Sequence, residues 1–361
     1  MPNTTKPGLF GITNSNRDFS DRYYWGKNQF NSSFPVALAC FMRESGINPV
    51  YLKIDKDRKI YHEELPVEEL FGSKLPNDKL YFSFESRYEP YRQFVHDELE
   101  TIDLVVKNTE TKAYLQPVEI KLTTLPDNTT EGLTEDRYGC ELVIRSPTMR
   151  YMALSMAMSL KKKFKDIRDL FEPSCLKIRS WDNPDEIKNK LPGMLSALEE
   201  FIGEYRKYEK PLLMQPIWKT IGKSPNLAEN CLDIFVWSDF ALTRLFMDSA
   251  LENESSKISR QQRAAARLAR FLFEVSRSGK VYQEPIYDGM SLGNQTDKEF
   301  AISGNKTYKY MHCDRLTKPI ITKRQVRNVI LGGGQKWLSP ERRFDAIIYF
   351  STDLFNEYEE I

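Results

Sequence analysis

The chain has few of the features that mark secreted, metal-thiolate or membrane proteins. Its five cysteines are odd in number, scattered, and never arranged as C-x-x-C. This usage argues against a disulfide framework and a zinc site, and it predicts a reducing compartment. The opening residues lack the basic start and apolar run of a signal peptide, and the longest apolar stretch, around residues 152–160, is too short to span a bilayer. We therefore expect a cytoplasmic protein without membrane contacts.

Histidine and net charge are also scarce. The three histidines, His62, His96 and His312, show no H-x-x-x-H or H-E-x-x-H spacing, which disfavours nuclease chemistries that depend on histidine. The 52 basic and 51 acidic residues leave a net charge of +1, so a nucleic-acid partner must be met by a local basic surface. The segment LGGGQKW lacks the G-K-[ST] ending of a P-loop, so no nucleotide cofactor is expected.

What is present is the pattern of a large α/β protein without internal repeats. A first helix is predicted in which Ser32 or Ser33 caps the first turn, Pro35 takes an early position, and Gly46 marks the end. Strands are predicted at residues 50–54 and 79–86. Two apolar runs on either side of residues 107–112 then predict a β-hairpin.

Helices dominate the pattern that follows the hairpin. PTMRYMALSMAMSLKKKF is apolar nearly all round and ends in basic residues, which predicts a helix packed against the sheet. Beyond residue 165 further helices are predicted at 185–208, 239–251 and 258–276, with Pro192 breaking or bending the first. The last part returns to strands in KPIIT and RFDAIIYF.

The hairpin brings together side chains that suit metal chemistry. If its turn is centred near Thr111, Asp103 faces Glu119 with Cβ atoms roughly 5 Å apart, and Lys121 shares the face of Glu119. Facing carboxylates repel unless a divalent cation lies between them, and oxygen ligands suit Mg²⁺. A lysine beside the metal can orient or help deprotonate an attacking water. The pattern alone is equally compatible with a site for phosphodiester hydrolysis and with a plain surface hairpin that carries a cross-strand salt bridge.

These residues carry a family resemblance. Ile102-Asp103 followed across the hairpin by Glu119-Ile120-Lys121 is similar to the PD-(D/E)XK nuclease signature, with Ile102 where that signature often has proline. The longer phrases LFGITNSNRDFS, WGKNQFNSSFP, EIKLTTLPDNTT and LTEDRYGCELVIRSPT resemble the HindVP family of type II restriction endonucleases over the N-terminal half.

The resemblance implies an α/β fold with a restriction-endonuclease-like core, a mixed sheet flanked by helices. It implies that Asp103 and Glu119 hold Mg²⁺ and that Lys121 assists the water. It further implies a homodimer that cleaves double-stranded DNA at GRCGYC. We accordingly expect a nuclease core at residues 1–165 and, at 166–361, a mainly helical elaboration with strands that serves DNA recognition and dimerisation. The sequence leaves open whether the two form one continuous domain.

Two further interpretations remain open from the sequence. Glu85 is either an additional metal ligand or a solvated glutamate at a strand edge. The helical spacing of Arg260, Arg263, Arg267 and Arg270 predicts either a basic stripe along DNA phosphates or a solvated amphipathic helix. The alternatives for the whole protein are an inactive DNA-binding protein on a nuclease fold and a structure-specific repair nuclease.

Overall fold

The computed structural model describes residues 12, 14–17, 27–55, 57, 59–126, 142–221, 226–231, 233–253, 256–302 and 320–331. The α-helices are α1 Lys27–Glu44, α2 Val67–Leu70, α3 Ser146–Leu160, α4 Phe164–Cys175, α5 Pro184–Tyr205, α6 Asp239–Leu251, α7 Arg260–Ser278, α8 Glu284–Tyr287 and α9 Lys323–Leu331. The strands are β1 Val50–Ile54, β2 Ile60–Glu64, β3 Leu80–Ser86, β4 Ile102–Asn108, β5 Tyr114–Ile120, β6 Thr123–Pro126, β7 Leu142–Arg145, β8 Pro211–Thr220, β9 Asn230–Cys231, β10 Ile234–Ser238, β11 Lys298–Ile302 and β12 Ile321–Thr322. Short 3₁₀ segments lie at Asn77–Lys79, Glu89–Phe94, Lys161–Lys163 and Arg206–Tyr208.

A mixed sheet forms the centre of the molecule. Its strand order is β2, β1, β10, β8, β5, β4, β3, and β6 continues alongside β8. β8 runs parallel to β5 and antiparallel to β10, while β4 is antiparallel to both β3 and β5. β7 and β11 form a separate two-stranded ribbon. The predicted α/β class, a mixed sheet flanked by helices, is confirmed.

Helices cover both faces of this sheet, so most strands read as apolar runs. One hydrophobic cluster packs strand residues such as Leu52 and Trp237 against α3 to α7. A second packs Val118 and Ile120, with residues from their neighbours, beneath α1 and α9. The alternation along β5 therefore points Glu119 away from the α1 side and toward the face covered by α3.

Several predicted elements are confirmed. Strands occur at 50–54 and 80–86, and the helix after the hairpin is α3. α6 has its predicted bounds, Asp239–Leu251. α7 starts with a capping box between Ser259 and Gln262 and ends at Gly279, which adopts the left-handed conformation that favours glycine.

Other expectations were wrong or incomplete. α1 begins at Lys27, so Ser32 and Ser33 are not its cap, and Pro35 lies inside the helix. β8 was missed, and it lies in the middle of the sheet beside β10, so the sheet takes strands from both sides of residue 165. The predicted strand RFDAIIYF and the run Gly332–Gly334 lie outside the described residues. Among the helices that are described, none has the length and apolar character needed to cross a membrane.

A buried carboxyl group starts α6 beside the sheet. Asp239 accepts hydrogen bonds from the backbone N–H groups of Lys210 and Phe240, and from the hydroxyl of Ser155. Burial nevertheless raises the pKa of Asp239 to about 7. Because the pKa of aspartate in the unfolded chain is about 3.9, ionisation opposes folding increasingly as the pH rises between these two values.

We expect Asp239→Asn to gain stability relative to the wild type as the pH rises. The wild type loses stability as Asp239 ionises, whereas the amide cannot ionise. The free energy of unfolding of the variant should therefore rise relative to that of the wild type by roughly 1–3 kcal/mol between pH 5 and pH 8. Urea unfolding at both pH values measures this shift, with exposed Asp169→Asn as the control. A difference that does not change with pH would contradict the assignment.

Candidate active site

The hairpin of β4 and β5 has the predicted register. Leu104 pairs with Val118, and the pairs that follow keep the same spacing up to a bulge before the turn. Asp103 and Glu119, one residue further from the turn, therefore lie opposite each other at the open end of the hairpin. The structure thus brings together the two carboxylates that the sequence analysis selected.

Asp103 replaces part of the strand ladder with its side chain. Its Oδ2 accepts a hydrogen bond of 2.8 Å from the backbone N–H of Ile120. The edge of β5 that faces away from β4 pairs with β8, where Glu119 lies opposite Leu213. The carboxylate is consequently fixed through one oxygen, and among the described residues no hydrogen bond reaches the other oxygen, Oδ1.

Glu119 is held in the same one-sided way. Its Oε1 accepts hydrogen bonds from Lys121 Nζ at 2.5 Å and from Thr148 Oγ1 at 3.0 Å. No hydrogen bond from the described part of the chain reaches Oε2. Thr148 lies in the first turn of α3 and was missed by the sequence analysis, because only the packing of α3 against β5 brings its hydroxyl to this carboxylate.

The charges of Asp103, Glu119 and Lys121 do not balance one another. Burial and the negative charge of Glu119 raise the pKa of Asp103 to about 7, against the lowering effect of Lys121 and the Ile120 N–H. Burial acts to lower the pKa of Lys121, but the two carboxylates outweigh it and the pKa lies above its ordinary value. Lys121 is thus an ammonium at neutral pH, and one ammonium does not relieve the repulsion of the carboxylate pair.

The donor atoms fit Mg²⁺. Two carboxylates, each with one oxygen outside the hydrogen-bond network, are hard ligands, and Mg²⁺ commonly takes one or two carboxylates while keeping waters or phosphate oxygens. Within the ranges that the structure describes, no group of three histidine, cysteine, aspartate or glutamate side chains forms a ready metal cage. These two carboxylates therefore suit an ion whose remaining ligands come from water and substrate.

Comparison with known proteins decides the family. The model of the HindVP restriction endonuclease family matches residues 25–355. The chain belongs to the HindVP restriction endonuclease family. It is 40% identical over 352 residues to type II restriction enzyme HgiDI of Herpetosiphon aurantiacus, covering 98% of each chain. It is also 40% identical over 351 residues to the Haemophilus influenzae protein named "Probable type II restriction enzyme HindVP", covering 97% of this chain and 95% of that protein. No solved structure matches significantly.

The other candidate acidic residue of this HindVP-family chain lies beside the pair. Glu85 is on β3, where the flanking residues pair in register with β4 so that Glu85 is opposite Asp103. Its carboxylate is 3.6 Å from Arg17 Nη2 and its side chain is 54% exposed. The structure therefore places Glu85 next to Asp103 but pairs it with an arginine.

The predicted arginine stripe on α7 needs correction for two of its four residues. Arg263 is 1% exposed and donates hydrogen bonds to the carbonyl groups of Asn294, Thr296 and Lys298. Arg267 is 3% exposed and pairs with the buried carboxylate of Glu299. Buried guanidinium groups with these partners cannot lie along DNA phosphates.

The two remaining arginines of the stripe are half-buried. Arg270 forms an ion pair with Glu274 at 2.7 Å, one helical turn further along. Its guanidinium also stacks 5.1 Å from the ring centre of Trp181. Arg260 is the first residue of α7. A role for these two in DNA binding stays a prediction.

We expect Arg267→Met to destabilise the fold. Removing the nearer partner leaves Glu299 with only the more distant Arg263, whose Nε is 3.8 Å away, and breaking a buried ion pair costs about 3–5 kcal/mol. Chemical denaturation measures the free energy of unfolding, and Arg277→Met at an exposed position of the same helix serves as the matched control, with a change of about 0.5 kcal/mol or less. Equal effects of the two substitutions would show that the buried ion pair does not stabilise the fold.

Proposed function

We propose that this chain is a type II restriction endonuclease that hydrolyses phosphodiester bonds of double-stranded DNA at GRCGYC and depends on Mg²⁺. The observation that carries the proposal is the facing pair Asp103 and Glu119, with Lys121 bonded to the same oxygen of Glu119 that Thr148 holds. The names of the two relatives, both type II restriction enzymes, support the same reaction class. The target sequence rests on the family resemblance.

Each side chain has a role that follows from its contacts. Asp103 and Glu119 would hold Mg²⁺, which when bound would polarise the phosphate and make its water more acidic. Thr148 and the Ile120 N–H fix the opposite oxygens, so both carboxylates keep one orientation. Lys121, a cation beside the scissile phosphate, orients the attacking water and offsets the charge that develops on the phosphate oxygens. Hydrolysis leaves a 5′-phosphate and a 3′-hydroxyl.

The assembly follows from the target. A palindromic site presents two equivalent strands, and a two-fold symmetric homodimer places one active site at each. Residues 166–361 contribute β8 and β10 to the sheet, and we assign DNA recognition and dimer contacts to the same region. Hydrolysis of this kind requires no nucleotide cofactor. We place the enzyme in the cytoplasm, where it meets DNA.

Substitution of the three residues should separate cleavage from binding. We expect Asp103→Asn and Glu119→Gln to abolish detectable cleavage and Lys121→Ala to slow it by about 10²–10⁴-fold, because each removes a metal ligand or a charge used in the transition state. Single-turnover cleavage of an oligonucleotide duplex measures the rates, and an electrophoretic mobility shift with the same duplex checks that binding persists. Glu110→Gln, in the exposed hairpin turn, is the control. Full activity of Asp103→Asn or Glu119→Gln would refute the metal site.

Digestion of a fully sequenced plasmid tests the specificity. We expect discrete fragments whose ends map to GRCGYC when Mg²⁺ is present, and none with EDTA. Binding without cleavage under any divalent metal would favour the inactive DNA-binding protein. Preference for nicked, flapped or damaged DNA over intact plasmid would favour the repair nuclease.

A further inference from the structure

The backbone of Glu85 is strained near the end of β3, at the residue before the last of the strand. Its φ is +47°, a left-handed value that non-glycine residues rarely adopt, and such a residue costs on the order of 1–3 kcal/mol. The neighbouring Phe84 still pairs with Leu104, so the distortion is confined to the residue opposite Asp103. Strain confined to one residue persists only where the surroundings impose it.

The surroundings that impose it come from the N-terminal segment. The side-chain amide of Asn16 donates to the carbonyl of Phe84 at 2.8 Å and accepts from the N–H of the same residue at 2.8 Å. These are the two bonds that a further strand would make. Ser83 and Ser86, on either side of the strained residue, share a hydroxyl hydrogen bond of 2.7 Å. The backbone before and after Glu85 is thereby fixed.

Asn16 also positions the next residue, Arg17. The Arg17 guanidinium carbon lies 4.9 Å from the ring centre of Phe84, within the range of a cation–π contact. Nη2 is 3.6 Å from a carboxylate oxygen of Glu85, and the side chain is only 9% exposed. This Nη2 is buried and has no hydrogen-bond partner among the described residues. A desolvated cation is therefore fixed beside the carboxylates.

Arg17 contacts Glu85, which the strand register places opposite Asp103. Burial lowers the pKa of Arg17, and the negative charges of Glu85 and Asp103 oppose that effect. A cation that neutralises Glu85 reduces the repulsion between Glu85 and the neighbouring Asp103. The row of three carboxylates on β3, β4 and β5 thus has one intrinsic cation on the Glu85 side.

We propose that Arg17, by pairing with Glu85, keeps a second divalent cation from binding on the Glu85 side of Asp103, so that each active site binds a single metal ion. The inference rests on the proposed function, because it presumes that Asp103 and Glu119 hold the first ion. Arg17 is a positioning residue, and Glu85 is its counter-charge rather than a metal ligand. This answers the question that the sequence left open for Glu85.

Two observations favour a resident guanidinium over a second metal. A metal ion bound to Glu85 would have to displace the buried Arg17 side chain, which packs on Phe84 and follows Asn16, a residue fixed by its hydrogen bonds to Phe84. In addition, the strained backbone of Glu85 is fixed with its carboxylate toward Arg17.

The test counts metal ions directly. Mn²⁺ replaces Mg²⁺ in such oxygen sites, and its free concentration can be followed by electron paramagnetic resonance during titration of the full-length protein. We expect one ion per chain in the wild type and in Glu85→Gln, with affinities within about twofold. Arg17→Gln should bind a second, weaker ion, because two carboxylates are then left without a cation. Arg17→Lys, which retains the charge, and the double variant Arg17→Gln/Glu85→Gln should each bind one.

The outcomes separate this inference from the proposed function. Two ions in the wild type, or a tenfold or larger loss of Mn²⁺ affinity in Glu85→Gln, would overturn the role of Arg17, and neither measurement depends on the folding of an Arg17 variant. A folded Arg17→Gln protein, judged by circular dichroism, that binds one ion would also overturn it. If Asp103→Asn leaves Mn²⁺ binding unchanged, the proposed metal site itself is wrong. Loss of binding in Asp103→Asn with one ion in Arg17→Gln would refute the inference alone.

Discussion

Two carboxylates that face each other on neighbouring strands repel, and the whole site is organised around that repulsion. Asp103 and Glu119 each give one oxygen to a fixed donor, the Ile120 N–H or Thr148, and no hydrogen bond from the residues that the structure describes reaches the other oxygen. Lys121 compensates part of the charge. The Mg²⁺ ion proposed above would offset the rest of the repulsion, and its binding would distinguish a metal site from an ordinary polar strand face.

The hairpin could be predicted because its information is local. The apolar alternation of two adjacent runs and the polar turn near Thr111 set the register, and the register determines that Asp103 faces Glu119. Thr148 and Arg17 could not be found in this way, since they reach the site through the packing of α3 and through a segment that lies along β3. β8 was missed because a short apolar run between long helices does not show by its period that it is a central strand.

The arginines of α7 illustrate a different limit. Helical spacing correctly predicted that Arg263 and Arg267 share a face, but spacing does not reveal what that face contacts. Their partner Glu299 is on β11, distant in sequence, and β11 pairs with β7. β7 leads directly into α3. The buried ion pair therefore belongs to the scaffold that sets the position of Thr148 rather than to a DNA-binding surface.

The position of β8 has a consequence for when the nuclease becomes able to act. β4 and β5 can pair as soon as both have left the ribosome, yet the edge of β5 that carries Glu119 is completed only by β8, which is synthesised much later. The isolated hairpin lacks both α3, which carries Thr148, and β8, which pairs with β5. An incomplete nascent chain therefore has the acidic residues without the support that fixes them, and cutting ability should arise late in synthesis, when most of the polypeptide has folded.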